Sequence, residues 1–102
     1  MDVKSREEII KFAQKLNSTN LSPLRSGNIS LKAQNNNEEG FLITPSGKKY
    51  DSLKADDIVF VSLKGKYDEK GLKPSSEWRF HKDIYLKKTD AKAVVHAHSP
   101  HA

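Results

Sequence analysis

Near the end of the chain, Ala93-Val94-Val95-His96-Ala97-His98 sets two imidazoles two residues apart in a run of small and β-branched residues. Such a run reads as a short buried strand. Side chains alternate faces along a strand at about 3.3 Å per residue, so His96 and His98 share one face roughly 7 Å apart. Two imidazoles at that spacing can lean onto one metal ion, with Val95 and Ala97 packing the opposite face into the core. The competing account is a pair of hydrogen-bonded strand histidines with no ion between them. A carboxylate upstream weighs against it.

That carboxylate is Glu77. Pro74-Ser75-Ser76 supplies a helix stop and a hydroxyl cap, and residues 77–88 continue as a helix. At helical spacing Trp78, Phe80, Ile84 and Tyr85 define an inward arc. Glu77 and His81 fall inside that arc, while Arg79, Lys82, Asp83 and Lys87 fall outside. A buried carboxylate is costly unless it meets a cation or metal. The competing account is a Glu that curls to solvent or bonds a free amide. Thr89-Asp90 then returns the chain to the strand of His96 and His98, so one short connection lets all three groups converge. Zinc accepts nitrogen and oxygen ligands of this kind. His101 follows Pro100 and would have to fold back to join them.

The elements that position these groups begin with an amphipathic helix over 6–16. Ser5-Arg6-Glu7-Glu8 is a capping-box pattern, and Ile9, Phe12, Ala13 and Leu16 recur at helical spacing. A polar loop runs from 17 to 26, and Gly27-Asn28 marks a turn. Ile29, Leu31 and Ala33 alternate with Ser30 and Lys32 as a half-buried strand. The polar run 35–40 is a hairpin loop leading to the strand Phe41-Leu42-Ile43-Thr44, which breaks at Pro45-Ser46-Gly47. A helical turn over 51–57 precedes a strongly buried strand, Ile58-Val59-Phe60-Val61. Lys64-Gly65-Lys66 turns the chain into a weaker strand around Tyr67. Short strands joined by tight loops point to antiparallel pairing.

The 102 residues suffice for one small domain, yet only 35% are aliphatic or aromatic, low for a self-sufficient core. There is no Cys, which excludes a disulfide framework or thiolate site and fits a reducing, cytoplasmic setting. No apolar run approaches the ~18–20 residues of a membrane span, and the first residues lack a signal-peptide core. The net charge of +5 comes from scattered lysines rather than an Arg-rich or aromatic-interleaved patch, so nucleic acid is not the expected partner.

Four stretches carry a family resemblance: Ser26-Gly27-Asn28-Ile29-Ser30, Leu42-Ile43-Thr44-Pro45-Ser46-Gly47, Pro74-Ser75-Ser76-Glu77-Trp78-Arg79-Phe80-His81, and Ala93-Val94-Val95-His96-Ala97-His98. Each is weak alone. In this order they resemble the class II aldolases of the fuculose-phosphate type, within the aldolase/adducin superfamily, over essentially the whole chain.

The resemblance implies an α/β fold of three layers, α/β/α, with a largely antiparallel central sheet and fourfold assembly. It implies one zinc ion per subunit held by three histidines and a Glu that also moves protons. By match, His96, His98 and Glu77 are three of those ligands, with Glu77 as the acid/base. Gly27, Asn28, Ser46, Gly47, Ser75 and Ser76 match positions that hold a substrate phosphate. Amides at tight turns and a helix N-terminus suit an anion, and Ser and Asn side chains add neutral donors. The implied reaction is retro-aldol cleavage of a short phosphorylated ketose, with zinc stabilising the enediolate.

Leu24-Arg25 depart from the small residues usual before the Gly-Asn pair; Arg25 either reaches the phosphate or points to solvent. Residues 1–102 match about half of a family domain, its N-terminal half, so the fold is expected to be incomplete in this chain and the third histidine to follow residue 102. Alone, such a half is expected to be marginally folded and catalytically silent. Alternatives stay open: a sugar-phosphate epimerase, which in this superfamily carries Asp where Glu77 stands, a dehydratase, a non-catalytic domain like the adducin head, or an inactive fragment. Retention of His96 and His98 argues against the adducin-like reading.

Overall fold

The computed structural model describes residues 3–18, 28–46, 53–68 and 71–96. Helix α1 (Val3–Ser18) is followed by strands β1 (Asn28–Asn35) and β2 (Glu38–Ile43), a 3-10 turn (Ala55–Asp57), β3 (Val59–Ser62), α2 (Trp78–Lys87) and β4 (Ala93–His96). The strands form one sheet in the order β3-β2-β1-β4, and every neighbouring pair is antiparallel. No described helix is long and apolar enough to cross a membrane.

Two cores explain the layering. Ile29, Leu31 and Ala33 of β1 share a face with Leu42 of β2 and pack against Ile9 and Ala13 of α1, with Leu53, Ile58 and Phe60 closing the layer. The opposite face carries Phe41, Ile43, Val59, Val61 and Val94 against Tyr85 of α2, with Trp78 and Ile84 beside them. The sheet is thus covered by one helix on each side. Residues 40–43 are buried without interruption because β2 is central and closed on both faces.

The turns follow from residue type. Asn36 (φ 51°) and Asn37 (φ 70°) both take left-handed backbone, making the tight two-residue hairpin that asparagine tolerates. The loop is therefore shorter than the polar run suggests, and Glu38, Glu39 and Gly40 already belong to β2. After β3, the Ser62 hydroxyl accepts the Lys64 and Lys66 amides at 3.2 and 3.1 Å. Gly65 sits in that turn at φ +85°, against the Trp78 ring. The segment around Tyr67 consequently forms no strand; its ring packs edge-on against Trp78 at 5.9 Å between centroids.

Three other expectations are corrected. Helix α1 begins at Val3, so Ser5 lies within it and is not its cap, and the helix reaches Ser18 rather than stopping at 16. Phe12 and Phe80, assigned inward from periodicity, are about half exposed. Each stands at the rim of its helix's apolar arc, beyond the narrow stripe that touches the sheet. Val95 is 48% exposed rather than core: β4 is an edge strand that pairs only with β1. The side chain of Leu16 lies outside the described set.

Candidate functional site

Three of the chain segments singled out by sequence meet beside the start of β1. Pro45 bridges Pro74, the Ser46 amide donates to the Lys73 carbonyl (2.9 Å), and the Ser75 amide donates to the Thr44 carbonyl (2.9 Å). Thr44 in turn donates its amide to the Ile29 carbonyl (3.1 Å) and accepts the Ile29 amide on Oγ1 (3.3 Å). Asn28, Ser46, Ser75 and Ser76 therefore sit on interlaced backbone. Ser46 and Ser76 are exposed, and Asn28 and Ser75 are buried. Because the Ser46 and Ser75 amides are spent on protein carbonyls, a ligand would meet hydroxyls and the Asn28 amide there, not those two backbone donors. Gly27, Gly47, His98, Arg25 and His101 lie outside the described residues.

Glu77 occupies the position that caps α2. The Ser75 hydroxyl accepts its amide (3.3 Å), and its carbonyl accepts the amides of Phe80 (3.0 Å) and His81 (3.3 Å). The hydroxyl cap expected from Pro74-Ser75-Ser76 is therefore not formed: the N-cap is Glu77, without a side-chain cap bond, and Ser75 acts two residues before it. The Glu77 carboxylate is turned inward, with Oε2 shielded from solvent.

Packing of α2 on the sheet fixes where that carboxylate lies. Tyr85 shares a core with Val94 of β4, and His81, one turn earlier, hydrogen-bonds Asn28, whose partner across the sheet is His96. One more turn back brings Glu77 past the level of His96, toward the end where the chain leaves β4. A helical turn of about 5.4 Å roughly matches the ~6.6 Å of two strand residues, so the two elements stay in step. By register the His96 backbone pairs with Asn28, and the His96 side chain lies outside the described set. A solvent-shielded carboxylate oxygen is a donor of the kind zinc accepts. Among the described residues no group of three metal-binding side chains stands complete. An open groove of about 420 Å³ along β3, lined in part by Arg6, Phe60, Tyr67 and Asp68, contains none of these residues.

Sequence reasoning missed the polar chain behind the site. The Tyr85 hydroxyl meets Ser30 Oγ at 2.8 Å, Ser30 Oγ meets His81 Nδ1 at 2.7 Å, and His81 Nε2 meets Asn28 Oδ1. Ser30 and His81 are fully buried, and Phe41 stacks on the Tyr85 ring at 5.3 Å. The available signal was His81 inside the helix arc together with Ser30 on a strand otherwise reading as alternating.

Burial pushes the Tyr85 hydroxyl up from 10.0 to about 12, partly offset by its hydrogen bonds with Ser30 and the Val94 backbone. Below pH 10 both folded and unfolded forms keep the proton, and the contribution to stability is fully present. Between about 10 and 12 the unfolded tyrosine ionises first, so stability falls as pH rises, by on the order of 2 kcal/mol. Tyr85→Phe should be less stable at neutral pH but lose less between pH 9 and 11.5. Denaturation midpoints across that range would check it; an unchanged alkaline slope in the variant would contradict it.

The comparisons with known proteins agree with this geometry. Residues 7–102 match the family described as the class II aldolase and adducin N-terminal domain, and the chain belongs to that family. It is 42% identical over 100 residues to 5-deoxy-D-ribulose 1-phosphate aldolase of Bacillus thuringiensis serovar kurstaki, covering 97% of this chain and 46% of that protein. It is 41% identical over 98 residues to L-fuculose phosphate aldolase of Escherichia coli K12, covering 96% and 43%. Its fold superposes on a solved L-fuculose 1-phosphate aldolase with a TM-score of 0.86 at 33% identity, covering 98% of this chain and 46% of that one. The chain spans a little under half the length of these relatives. The three-layer, antiparallel architecture is that of the class II aldolases.

Proposed function

We propose that the protein is a zinc-dependent aldehyde-lyase that cleaves a short ketose 1-phosphate by a retro-aldol reaction. The observation that carries this reading is the inward Glu77 carboxylate, set at one end of the sheet with Asn28, Ser46, Ser75 and Ser76 on interlaced turns nearby. Similarity to relatives named 5-deoxy-D-ribulose 1-phosphate aldolase and L-fuculose phosphate aldolase supports it.

In this reading the Asn28 amide and the hydroxyls of Ser46, Ser75 and Ser76, together with Gly27 and Gly47, hold the phosphate. Glu77, His96 and His98 would hold zinc, which supplies Lewis acidity at the sugar's oxygens when bound. Cleavage breaks the C3–C4 bond: the C4 hydroxyl loses its proton and becomes an aldehyde. The bonding pair stays with the ketone fragment, and a proton is delivered to C3, leaving dihydroxyacetone phosphate. Glu77 moves that proton in this reading. A homotetramer in the cytoplasm completes the proposal.

The test is to incubate the full-length protein and zinc with fuculose 1-phosphate and 5-deoxyribulose 1-phosphate and measure aldehyde and dihydroxyacetone phosphate together. Stoichiometric release of both is expected. Isomerised sugar phosphate with no aldehyde would replace the lyase with an epimerase. His96→Ala with His98→Ala should abolish stoichiometric zinc; zinc retained with unchanged affinity would remove both from the metal site.

A further inference from the structure

The chain Tyr85–Ser30–His81–Asn28 is a polar path through an apolar layer, and all four side chains are at least 97% buried. Its surroundings, Phe41, Ile43 and Val94, would accommodate hydrophobic residues equally well. Buried polar groups cost stability unless every donor and acceptor is met. What distinguishes this path is where it ends.

The proton directions follow from chemistry. Oδ1 of Asn28 can only accept, so Nε2 of His81 carries the proton and Nδ1 is left to accept. The Ser30 hydroxyl supplies that proton, and its oxygen accepts from the Tyr85 hydroxyl, which keeps its own proton until strongly alkaline pH. Each member donates to the next, and the path terminates on the oxygen of Asn28. With Oδ1 of Asn28 directed at Nε2 and toward α2, the two Nδ2 hydrogens face away from His81. An asparagine without such a partner presents oxygen or nitrogen almost interchangeably, and oxygen repels an anion.

We propose that His81 is a positioning residue that locks the Asn28 amide with its N–H donors toward the phosphate of the substrate. Ser30 and Tyr85 fix the imidazole tautomer that makes this possible. This rests on the reading of Asn28 as a phosphate-binding residue. His81 touches neither substrate nor metal, so its loss should appear as weakened anion binding and not as loss of zinc.

The test uses inorganic phosphate and calorimetric titration of the zinc-loaded, full-length protein. His81→Phe keeps a ring but removes both nitrogens, and should weaken phosphate binding about tenfold with zinc content unchanged. His81→Gln, whose side-chain nitrogen reaches the place of Nε2, should restore binding to within about threefold of wild type. Asn28→Ala should weaken phosphate by a similar factor, and adding His81→Phe to it should cost nothing further. Unaltered binding in His81→Phe beside a weakened Asn28→Ala would overturn the positioning role and leave the phosphate site standing. Unaltered binding in Asn28→Ala would overturn both. Should His81→Phe not fold, Ser30→Ala takes its place: it removes the donor to Nδ1, and undiminished phosphate binding there would equally overturn the proposal.

Discussion

Glu77→Gln in the full-length protein is expected to reduce aldol cleavage by about a thousandfold, within the ~10²–10⁴ range of a positioned acid or base. The substitution keeps the length and volume of the side chain and one acceptor oxygen. The backbone contacts that anchor residue 77 involve its amide and carbonyl, with the Ser75 hydroxyl, Phe80 and His81, so the start of α2 should persist. What disappears is a carboxylate able to take and return a proton. Because the same carboxylate is proposed to touch zinc, metal content must be measured alongside turnover. Stoichiometric zinc with turnover lost assigns proton transfer to Glu77. Zinc and turnover lost together place the effect in metal retention. Retained turnover with retained zinc would show that Glu77 has no part in the chemistry. Glu77→Asp is the companion variant: withdrawing the carboxylate by one methylene should also be severe, since a misplacement of about 1 Å can cost a hundredfold.

The inward placement of Glu77 was legible because it depends only on helical spacing. Pro74 and the serines mark where α2 starts, and the residues at 77, 81 and 85 then follow one stripe. A hairpin within 35–40 and the apolar run of β2 were legible for the same reason, turn chemistry and apolar runs being local, but the two-residue length of the turn at Asn36-Asn37 was not. Partners far apart in sequence were not. His81 meets Ser30 and Asn28 across 51 and 53 positions, and nothing nearby in the chain signals either contact. Cover was the second blind spot. Alternation shows that Val94 and Val95 face opposite ways, but only the sheet order reveals that the Val95 side is open while the Val94 side packs against α2. Periodicity also overstates how wide a helix's buried stripe is, which is why Phe12 and Phe80 were assigned inward.

The glycine in β2 should prove the most sensitive position for stability. A methyl group added at Gly40 would collide with the Val61 carbonyl oxygen and lie 2.6 Å from the Phe60 ring and 2.9 Å from the Ser62 Cα. The Phe60 ring lies across Gly40 on the face shared with Leu42, and it can swing aside. Val61 and Ser62 are contacted through backbone, and they belong to the strand paired with β2 in the register Gly40↔Ser62 and Phe41↔Val61. Making room therefore means moving β3 away from β2, straining the bond from the Leu63 amide to the Glu39 carbonyl at 3.0 Å. It also loosens Val59 and Val61 from one core and Phe60 from the other. Alanine regains about 0.5–1 kcal/mol of backbone entropy over glycine in a strand. Overpacking costs about 1–3 kcal/mol, and more where backbone must shift. The second term wins, and Gly40→Ala should destabilise by about 3 kcal/mol, a large part of the ~5–15 kcal/mol available to an ordinary domain. Chemical denaturation of the full-length protein would measure it as a lowered midpoint. Adding Phe60→Ala separates the two clashes: the backbone clash predicts no recovery in the double variant, whereas recovery would put the obstruction in the ring. A midpoint unchanged by Gly40→Ala itself would show that β2 and β3 do not approach as closely as the register requires.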